Sequence, residues 1–377
     1  MRPLFYKFLV LFLFFTGSFF AQKQSVLKES IDIGTAKFLQ IDIENVPLTI
    51  LPSSDNRIHI DFSMEFKGFS EKEIKNNLSK VKFNKNITLD KIVLSIKSKT
   101  TISPAEFISD APLIISSATS SKSLDNKKRV KKTKKDILES IKSTSSKEGN
   151  FMSSILKQIE NDENAQVKKS HFFLYIPDYL SLKIIAQRAR ITSSMPKSEN
   201  LNLDMNGSFF KARTLIMSNL LLKNASLLVE EIEGGNYTLN NSSNSFIGSV
   251  KNAILTLDLS KLEVGEIQEN VEIKDFNSEL FFYNFSNNFK TFKLNAEYSK
   301  IHFYHPESDF SYLAIGNNTV SYFDNITINM QPNKTGKKEK MVARKKKGIG
   351  KYAGHIYFDI IHGVIYSHSE TYKPVKK

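Results

Sequence analysis

The chain has 377 residues, of which 40% are hydrophobic, so it is long enough to bury a substantial core. It contains no cysteine, which excludes a disulfide framework, cysteine-ligated zinc, a thiol nucleophile and a lipid anchor on an N-terminal cysteine. The net charge of +14 comes from residues 121–170 and 331–351, so the remainder is close to neutral and is not expected to be a basic binding face.

The first segment has the pattern of a secretory signal peptide. Arg2 and Lys7 supply positive charge, residues 4–15 are almost continuously apolar, and small residues end at Ala21. This pattern predicts a signal peptide over residues 1–22 and an exported protein. The apolar run is too short for a comfortable membrane span, and an uncleaved N-terminal anchor is the alternative.

Residues 23–99 are a predicted N-terminal β segment. Hydrophobic and polar residues alternate over residues 31–60, which is the period of a half-buried strand. A helix is expected over residues 70–82, because Ser70 is a good N-cap residue and Glu73, three positions later, completes a capping box. Strands resume after this helix.

Residues 100–170 differ in composition from both flanks. Serine, lysine and threonine dominate, and the run 127–135 is strongly basic. Two short helical patterns in this segment have only narrow apolar faces. We therefore interpret it as a flexible, partly helical, Lys-rich insertion that splits the β structure and has no core of its own.

A repeat of short alternating strands, each followed by a polar turn, fills residues 171–330. The pattern is typical of an all-β fold and favours a single-stack β-solenoid of short strands. Asparagine and glycine are expected at its corners, where the backbone must be left-handed. The residues that lie near the start of successive units are Leu182, Leu201, Leu220, Tyr237, Leu255, Val271, Phe292 and Tyr312.

Two further segments complete the chain. Residues 331–351 are predicted to be a basic linker, and residues 352–377 have strong strand propensity. We expect these C-terminal strands to pair with the last repeat unit or to cap it, which would protect an edge that could recruit other chains.

Two stretches carry a family resemblance. In residues 38–60 and again in 174–184, an extended strand ends in proline, a short turn follows, and strands with the pattern leucine, polar, isoleucine begin. Both resemble the DUF4097 type of exported bacterial β-solenoid adhesins, over about residues 31–97 and 171–328. Residues 188–190 depart from the pattern, since glycine is expected there. The resemblance implies a right-handed solenoid with residues 38–60 as an earlier rung, an envelope or surface role, and no catalytic residues.

The sequence shows no convincing reactive constellation. His302 and His305 are three positions apart in a predicted strand and so face opposite sides, and the seven histidines look like scattered surface residues. Glutamates at 230–233 and 263–269 could align into a calcium site or a sugar-cleaving pair, although a solvated corner is the leading interpretation. We therefore expect no catalytic residue, no cofactor and no metal site.

The basic runs are the only candidate contact site. They lack the interleaved aromatic residues of a nucleic-acid platform, so the expected partner is an acidic surface glycan or an envelope protein and not nucleic acid. The alternative is that both runs are simply solvated. The candidate contact residues are Lys127, Lys128, Arg129, Lys131, Lys132, Lys134, Lys135, Arg344, Lys345, Lys346 and Lys347.

Together these features predict a non-enzymatic, exported protein of the periplasm, outer membrane or cell surface, with an adhesin-like or scaffold role. No transmembrane span is expected after removal of the signal peptide. A carbohydrate-active enzyme on a solenoid is the first alternative. An envelope sensor or assembly partner that adds a strand to another protein is the second.

Overall fold

The computed structural model describes residues 22–99, 167–323, 326–332, 336–345 and 354–368. Over these residues the protein is nearly all β, with one short helix, as the alternating sequence predicts. No helix in the described part is long and apolar enough to cross a membrane. Nearly all of the predicted signal peptide and of the predicted Lys-rich insertion lie outside the described residues.

The elements of the N-terminal part are β1 (Gln22–Asp32), β2 (Phe38–Glu44), β3 (Pro47–Pro52), β4 (Arg57–Lys67), α1 (Glu71–Ser79), β5 (Val81–Ile87) and β6 (Lys91–Ser98). Those of the remainder are β7 (Val167–Ile176), β8 (Ser181–Gln187), β9 (Arg190–Ser193), β10 (Ser198–Glu199), β11 (Asn202–Asn206), β12 (Phe209–Lys223), β13 (Ser226–Asn240), β14 (Ser245–Asp258), β15 (Lys261–Phe276), β16 (Glu279–Phe282), β17 (Thr291–Glu297), β18 (Lys300–Tyr304), β19 (Phe310–Asn317), β20 (Thr319–Phe323), β21 (Ile326–Met330), β22 (Glu339–Lys345), β23 (Gly354–Ile361) and β24 (Val364–His368).

Most strands belong to two parallel ladders, A and B. The chain passes from a strand of ladder A to one of ladder B, and one such pair is called a rung. Before the chain returns to ladder A, β10 and the middle parts of β12 to β15 form a short third parallel ladder. In spatial order, ladder A contains β6, β2, β8, β11, the C-terminal parts of β12 to β15, β17, β23 and β19. Ladder B contains β7, β3, β9, the N-terminal parts of β12 to β15, β16, β18, β24 and β20.

The predicted repeat is present in the strand register. Leu220 pairs with Tyr237, and Tyr237 pairs with Leu255. Val271 likewise pairs with Phe292. These residues point into a continuous apolar core, where each of them is almost completely buried.

Two of the residues that mark the starts of units, Leu201 and Val271, are offset by two positions from their neighbours in the stack. Leu220 pairs with Leu203, not Leu201, and Leu255 pairs with Ile273, not Val271. Residues two apart in a strand face the same side, so a hydrophobic pattern alone cannot detect a shift of two.

Both ends of the stack depart from chain order. The rung of β2 and β3 lies between the rung of β6 and β7 and the rung of β8 and β9. Pairing of Ile41 with Ile184 and of Leu48 with Ile191 places residues 38–52 of the expected segment 38–60 in an earlier rung. Residues 57–60 belong instead to the antiparallel β4. At the other end, Ile356 of β23 pairs with both Phe292 and Tyr312, which confirms pairing with the last repeat unit. The C-terminal strands are thus inserted between two rungs and do not cap the stack.

Antiparallel strands cover the two ends. β5 pairs with β6, β4 with β7 and β1 with β4 at one end. At the other end β22 pairs with β19, and β21 with β20. β22 falls within residues 331–351, so part of the segment predicted as a basic linker is an end strand. End strands of this kind keep the parallel ladders from offering a long, regular edge to other chains.

The helix forms where its cap predicts. Ser70 Oγ accepts a hydrogen bond from the Glu73 backbone N–H, and Glu73 Oε2 accepts one from the Ser70 backbone N–H at 2.8 Å. Ile74 is its buried residue. The helix ends at Ser79 because β5 begins at Val81.

The corner at which the chain passes from ladder A to ladder B is called the A–B corner. It has one left-handed residue in each rung whose corner lies within the described residues. In five rungs it is an asparagine, with φ between 48° and 55°, which confirms the expectation for the corners there. Their amides also join neighbouring rungs, since Asn241 Nδ2 donates to Asn224 Oδ1 at 2.6 Å. The five are Asn45, Asn224, Asn241, Asn277 and Asn318.

A buried row of small residues directly follows this left-handed row. Ser260 N donates to Ser278 Oγ at 3.0 Å, and Ser278 Oγ donates to the carbonyl of Phe276 at 3.2 Å. The hydroxyls of Ser208, Ser260, Ser278 and Ser299 thus each satisfy a backbone group of their own rung and of a neighbouring rung, which lets the corner be buried. The Ser242 hydroxyl, in the same row, is buried without such a bond. The serines of the row are Ser208, Ser242, Ser260, Ser278 and Ser299.

Candidate functional site

The predicted polyanion contacts are not located by the structure. The basic run 127–135 and Lys346 and Lys347 lie outside the described residues. Arg344 and Lys345 belong to β22, whose backbone pairs with β19, but their side chains are outside the described part. This contact site stays a prediction.

The histidines of β18 and its following turn are not surface residues, which corrects the sequence-based interpretation. His302 is 4% exposed and His305 is 6% exposed. The His302 ring is stacked between Phe281, at 4.5 Å, and Tyr366, at 4.6 Å. His305 Nε2 lies 3.1 Å from the Ser367 hydroxyl. Among the described residues, no three histidine, aspartate or glutamate side chains are grouped to hold a metal ion.

His302 belongs to a row of stacked rings on the outward side of ladder B. Phe281, His302, Tyr366 and Tyr322 pair in register on β16, β18, β24 and β20. Their successive planes are 5°, 6° and 9° apart, and Tyr322 stacks on Tyr366 at 5.1 Å. The spacing follows from the distance between strands, about 4.8 Å, which is also a comfortable ring-stacking distance. We call these four residues the outer aromatic row.

A second outward cluster, separate from the main core, flanks this row. Tyr283 and Tyr304 stack at 5.7 Å, and the Tyr283 hydroxyl donates to Glu263 Oε2 at 2.8 Å. Phe246 is only 1% exposed although it faces away from the main core. The outward surface of the C-terminal half of ladder B is therefore built from tightly packed aromatic side chains.

A line of charged residues borders the outer aromatic row. Lys261, Glu279 and Lys300 pair in register and are called the charged strip. Lys261 Nζ lies 3.9 Å from both Glu263 and Glu279 and 5.3 Å from the centre of the Phe281 ring. The two carboxylates therefore share one ammonium group and lie close to each other beside aromatic rings.

On the other side of the charged strip, the A–B corner carries large exposed side chains. Leu259 is 53% exposed, Phe276 is 45% exposed and Tyr298 is 50% exposed. Phe276 meets Tyr298 edge-on at 5.8 Å, and Tyr298 stacks on the exposed His362 at 4.9 Å. We call Leu259, Phe276, Tyr298 and His362 the aromatic corner.

Three residues of the aromatic corner occupy the left-handed position that asparagine takes in other rungs. The φ angles are 48° for Leu259, 58° for Tyr298 and 53° for His362. Bulky side chains are disfavoured in this conformation, and asparagine is tolerated. Large side chains are therefore exposed to solvent at this corner at a cost in backbone strain.

One buried carboxyl group lies beneath this corner. Asp275 occupies an inward position of ladder A, between Leu257 and Ala296, and is 8% exposed. Burial raises the pKa of its carboxyl group, and the nearby hydroxyls of Ser278 and Ser299 offset part of that effect. Ionisation of this buried carboxyl group is therefore expected to cost stability, and we assign the group no catalytic role.

The N-terminal end encloses a cavity of about 240 Å³. Its lining is apolar apart from Ser25, and it includes Phe62, Phe83 and Phe172. The lining contains no titratable side chain, so Ser25 has no base beside it there to activate its hydroxyl.

Comparisons with known proteins add little. No family model matches the chain, and no curated protein matches it. Among solved structures, the chain is similar to the crystal structure of a candidate cell adhesion protein from Clostridium sporogenes, at 10% identity and a TM-score of 0.20, over 93% of this chain and 100% of that chain. A TM-score this low supports no inference about fold or function.

Sequence reasoning missed the outer aromatic row and the aromatic corner. The aromatic corner could have been found from the sequence. Phe276 lies two positions before Ser278 of the buried row, and Tyr298 lies directly before Ser299. The sequence contains no such signal for the outer aromatic row, because Tyr366 lies next to His302 only through the insertion of the rung of β23 and β24.

Proposed function

We propose that the chain is an exported, non-enzymatic β-solenoid of the bacterial envelope, related to the DUF4097 type, that serves adhesion or scaffolding. The in-register parallel ladders support this proposal. Eleven strands of ladder A at about 4.8 Å per strand would make a rod about 50 Å long. A rod with covered ends suits rigid display more than a reaction that needs a closing site.

The outward surface of the C-terminal rungs is the observation that carries the proposal. The outer aromatic row, the charged strip and the aromatic corner lie side by side on it, all held in place by backbone register. Exposed aromatic and charged side chains on a rigid support are typical of protein recognition surfaces.

Fractionation of the native host, combined with protease treatment of whole cells, tests the location. We expect the protein in the envelope fraction. Cleavage by added protease on intact cells would place it on the outer surface, and protection until the outer membrane is opened would place it in the periplasm. Recovery from the cytosol with the signal peptide intact would contradict the proposal.

The basic runs are best tested by charge neutralisation. Removing residues 334–351 would also remove β22 and uncover β19, so glutamine should replace the basic residues of 127–135 and 344–347 instead. We expect weaker binding to an acidic polysaccharide such as alginate, and a smaller loss of binding when salt is added. Unchanged affinity and salt dependence would exclude the polyanion contact.

A carbohydrate-active enzyme is the second candidate, because Glu263 and Glu279 share the Lys261 ammonium beside aromatic rings. Paired carboxylates are the machinery of glycoside hydrolysis. Release of reducing sugar from a polysaccharide by the native protein, abolished in both Glu263→Gln and Glu279→Gln, would establish the enzyme and overturn the non-enzymatic proposal. We expect no release.

A further inference from the structure

We propose that the aromatic corner is a binding site for an uncharged polysaccharide. Sugar units would pack against the solvent-exposed surfaces of Tyr298 and Phe276, and the exposed Asn277 amide and the charged strip would contact their hydroxyl groups. The inference rests on the proposed adhesive function and adds the ligand class and the residues.

Exposure is the first support. Equivalent positions in the row of Phe276 are polar in the neighbouring rungs, namely Asp258 and Glu297. Phe276 itself is 45% exposed, and Tyr298 of the next rung is 50% exposed. Two exposed rings in contact on adjacent rungs form a patch and are not isolated surface apolar residues.

Backbone strain is the second, independent support. Asn224, Asn241 and Asn277 fill the left-handed position without penalty, whereas Leu259 and Tyr298 fill it at a cost. Leu259 and Tyr298 are also about half exposed, so burial in the core does not explain their presence at this position. Strain of this kind concentrates at sites that bind.

The size of the patch argues against a protein partner. An aromatic side chain presents roughly 150–250 Å² in full, so the four exposed side chains of the aromatic corner, at about half that area each, offer about 400 Å². A standard protein interface needs about 800 Å² from each partner. A few sugar units need far less, and the four rungs of the aromatic corner extend about 15 Å along the stack.

Local charge argues for an uncharged ligand. The charged strip alternates Lys261, Glu279 and Lys300, and Lys261 is already balanced by Glu279 at 3.9 Å. Such alternation neither attracts nor repels a charged polymer strongly. Hydroxyl groups, however, can accept from the ammonium groups and donate to the carboxylate.

Affinity electrophoresis of the full mature chain through gels containing galactomannan, amylopectin or a soluble β-1,3-glucan tests the proposal, with alginate as the charged comparison. We expect retardation by at least one uncharged polysaccharide, with little dependence on salt. Tyr298→Asn and Phe276→Ser should weaken that binding by about tenfold or more.

Met217→Asn is the matched control. Met217 is 59% exposed and has a φ of 48°, but it lies at a different corner of the rung. Both Tyr298→Asn and Met217→Asn relieve a left-handed strain, so both should keep or raise Tm. Only Tyr298→Asn should lose polysaccharide binding, which separates recognition from a structural role.

Failure of this inference is distinguishable from failure of the proposed function. Retardation by none of the uncharged polysaccharides, or equal retardation of the wild type and Tyr298→Asn, would overturn the inference. Retardation by alginate alone, removed by neutralising the basic runs, would overturn it and leave the adhesive function standing. A cytosolic location would instead remove the proposed function.

Discussion

The phenol ring of Tyr298 lies flat against the imidazole of His362, with 4.9 Å between the ring centres and 6° between the planes. The two residues come together because the rung of β23 and β24 is inserted next to that of β17 and β18. In a stack built in simple chain order, the neighbour of Tyr298 would have been Asn318 of the β19–β20 rung. The inserted rung therefore completes the aromatic corner.

Relief of corner strain should stabilise the protein. Leu259→Asn is expected to raise the free energy of unfolding by about 1 kcal/mol, because asparagine accepts the left-handed conformation that leucine resists. Urea unfolding measures this change. Ile254→Asn is the control, since Ile254 is an exposed apolar residue within β14, and asparagine disfavours strands. A loss of stability in Leu259→Asn would mean that packing of its side chain outweighs the strain.

Asp275 should make stability depend on pH. Because the folded-state pKa of its carboxyl group is raised, the group costs nothing well below its ordinary value of 3.8, and stability is lost as pH rises through the raised folded pKa. Asp275→Asn should therefore match the wild type in acid and have the higher Tm at neutral pH. Thermal unfolding over a pH series checks this, and a gap that is constant with pH would contradict it.

Gly235 should be intolerant of any side chain. Its φ is 90°, and a Cβ atom there would lie 2.1 Å from the Ser218 carbonyl oxygen. We expect Gly235→Ala to cost about 3 kcal/mol or more, or to prevent folding. Gly34→Ala is the matched control, since Gly34 also has a positive φ but open space around it, and it should cost only about 1 kcal/mol. Equal effects in urea unfolding would show that the close approach of the two rungs is unimportant.

The inserted rung should hold the C-terminal end together. Phe358 is fully buried and contacts Phe292, Phe303 and Tyr312, which belong to the rungs on both sides of it. Phe358→Ala should cost about 3–5 kcal/mol. Hydrogen exchange should show lost protection in β17 and β18 as well as in β19 and β20.

Tyr357, the half-buried neighbour of Phe358 in β23, provides the control for Phe358→Ala. Tyr357→Ala changes a side chain on the opposite face of β23 and should leave most of the protection in place. Loss of protection confined to β19 and β20 in Phe358→Ala would indicate that the inserted strands act only as an end piece.

The sequence predicted what depends on local pattern. The capping box of Ser70 and Glu73 located the helix, because a cap needs only residues three positions apart. Alternation located the strands, and Asn241 and its equivalents located the corner, because only a few residue types accept that conformation. Alternation did not determine the exact register, because a shift by two residues keeps every side chain on its own face. Leu201 and Val271 accordingly lie two positions from the residues that pair with Leu220 and Leu255.

The sequence by itself thus determined an all-β chain with a repeat, a helix, asparagines at the corners and a β region whose net charge is close to zero. Only the tertiary structure decided which rung follows which. Pairing of β23 with both β17 and β19 depends on contacts between residues far apart in the chain, and no local pattern encodes them. That pairing brings His362 to Tyr298 and Tyr366 to His302. The candidate recognition surface therefore depends on the order in which the rungs stack. None of its aromatic residues is conspicuous in the sequence by itself.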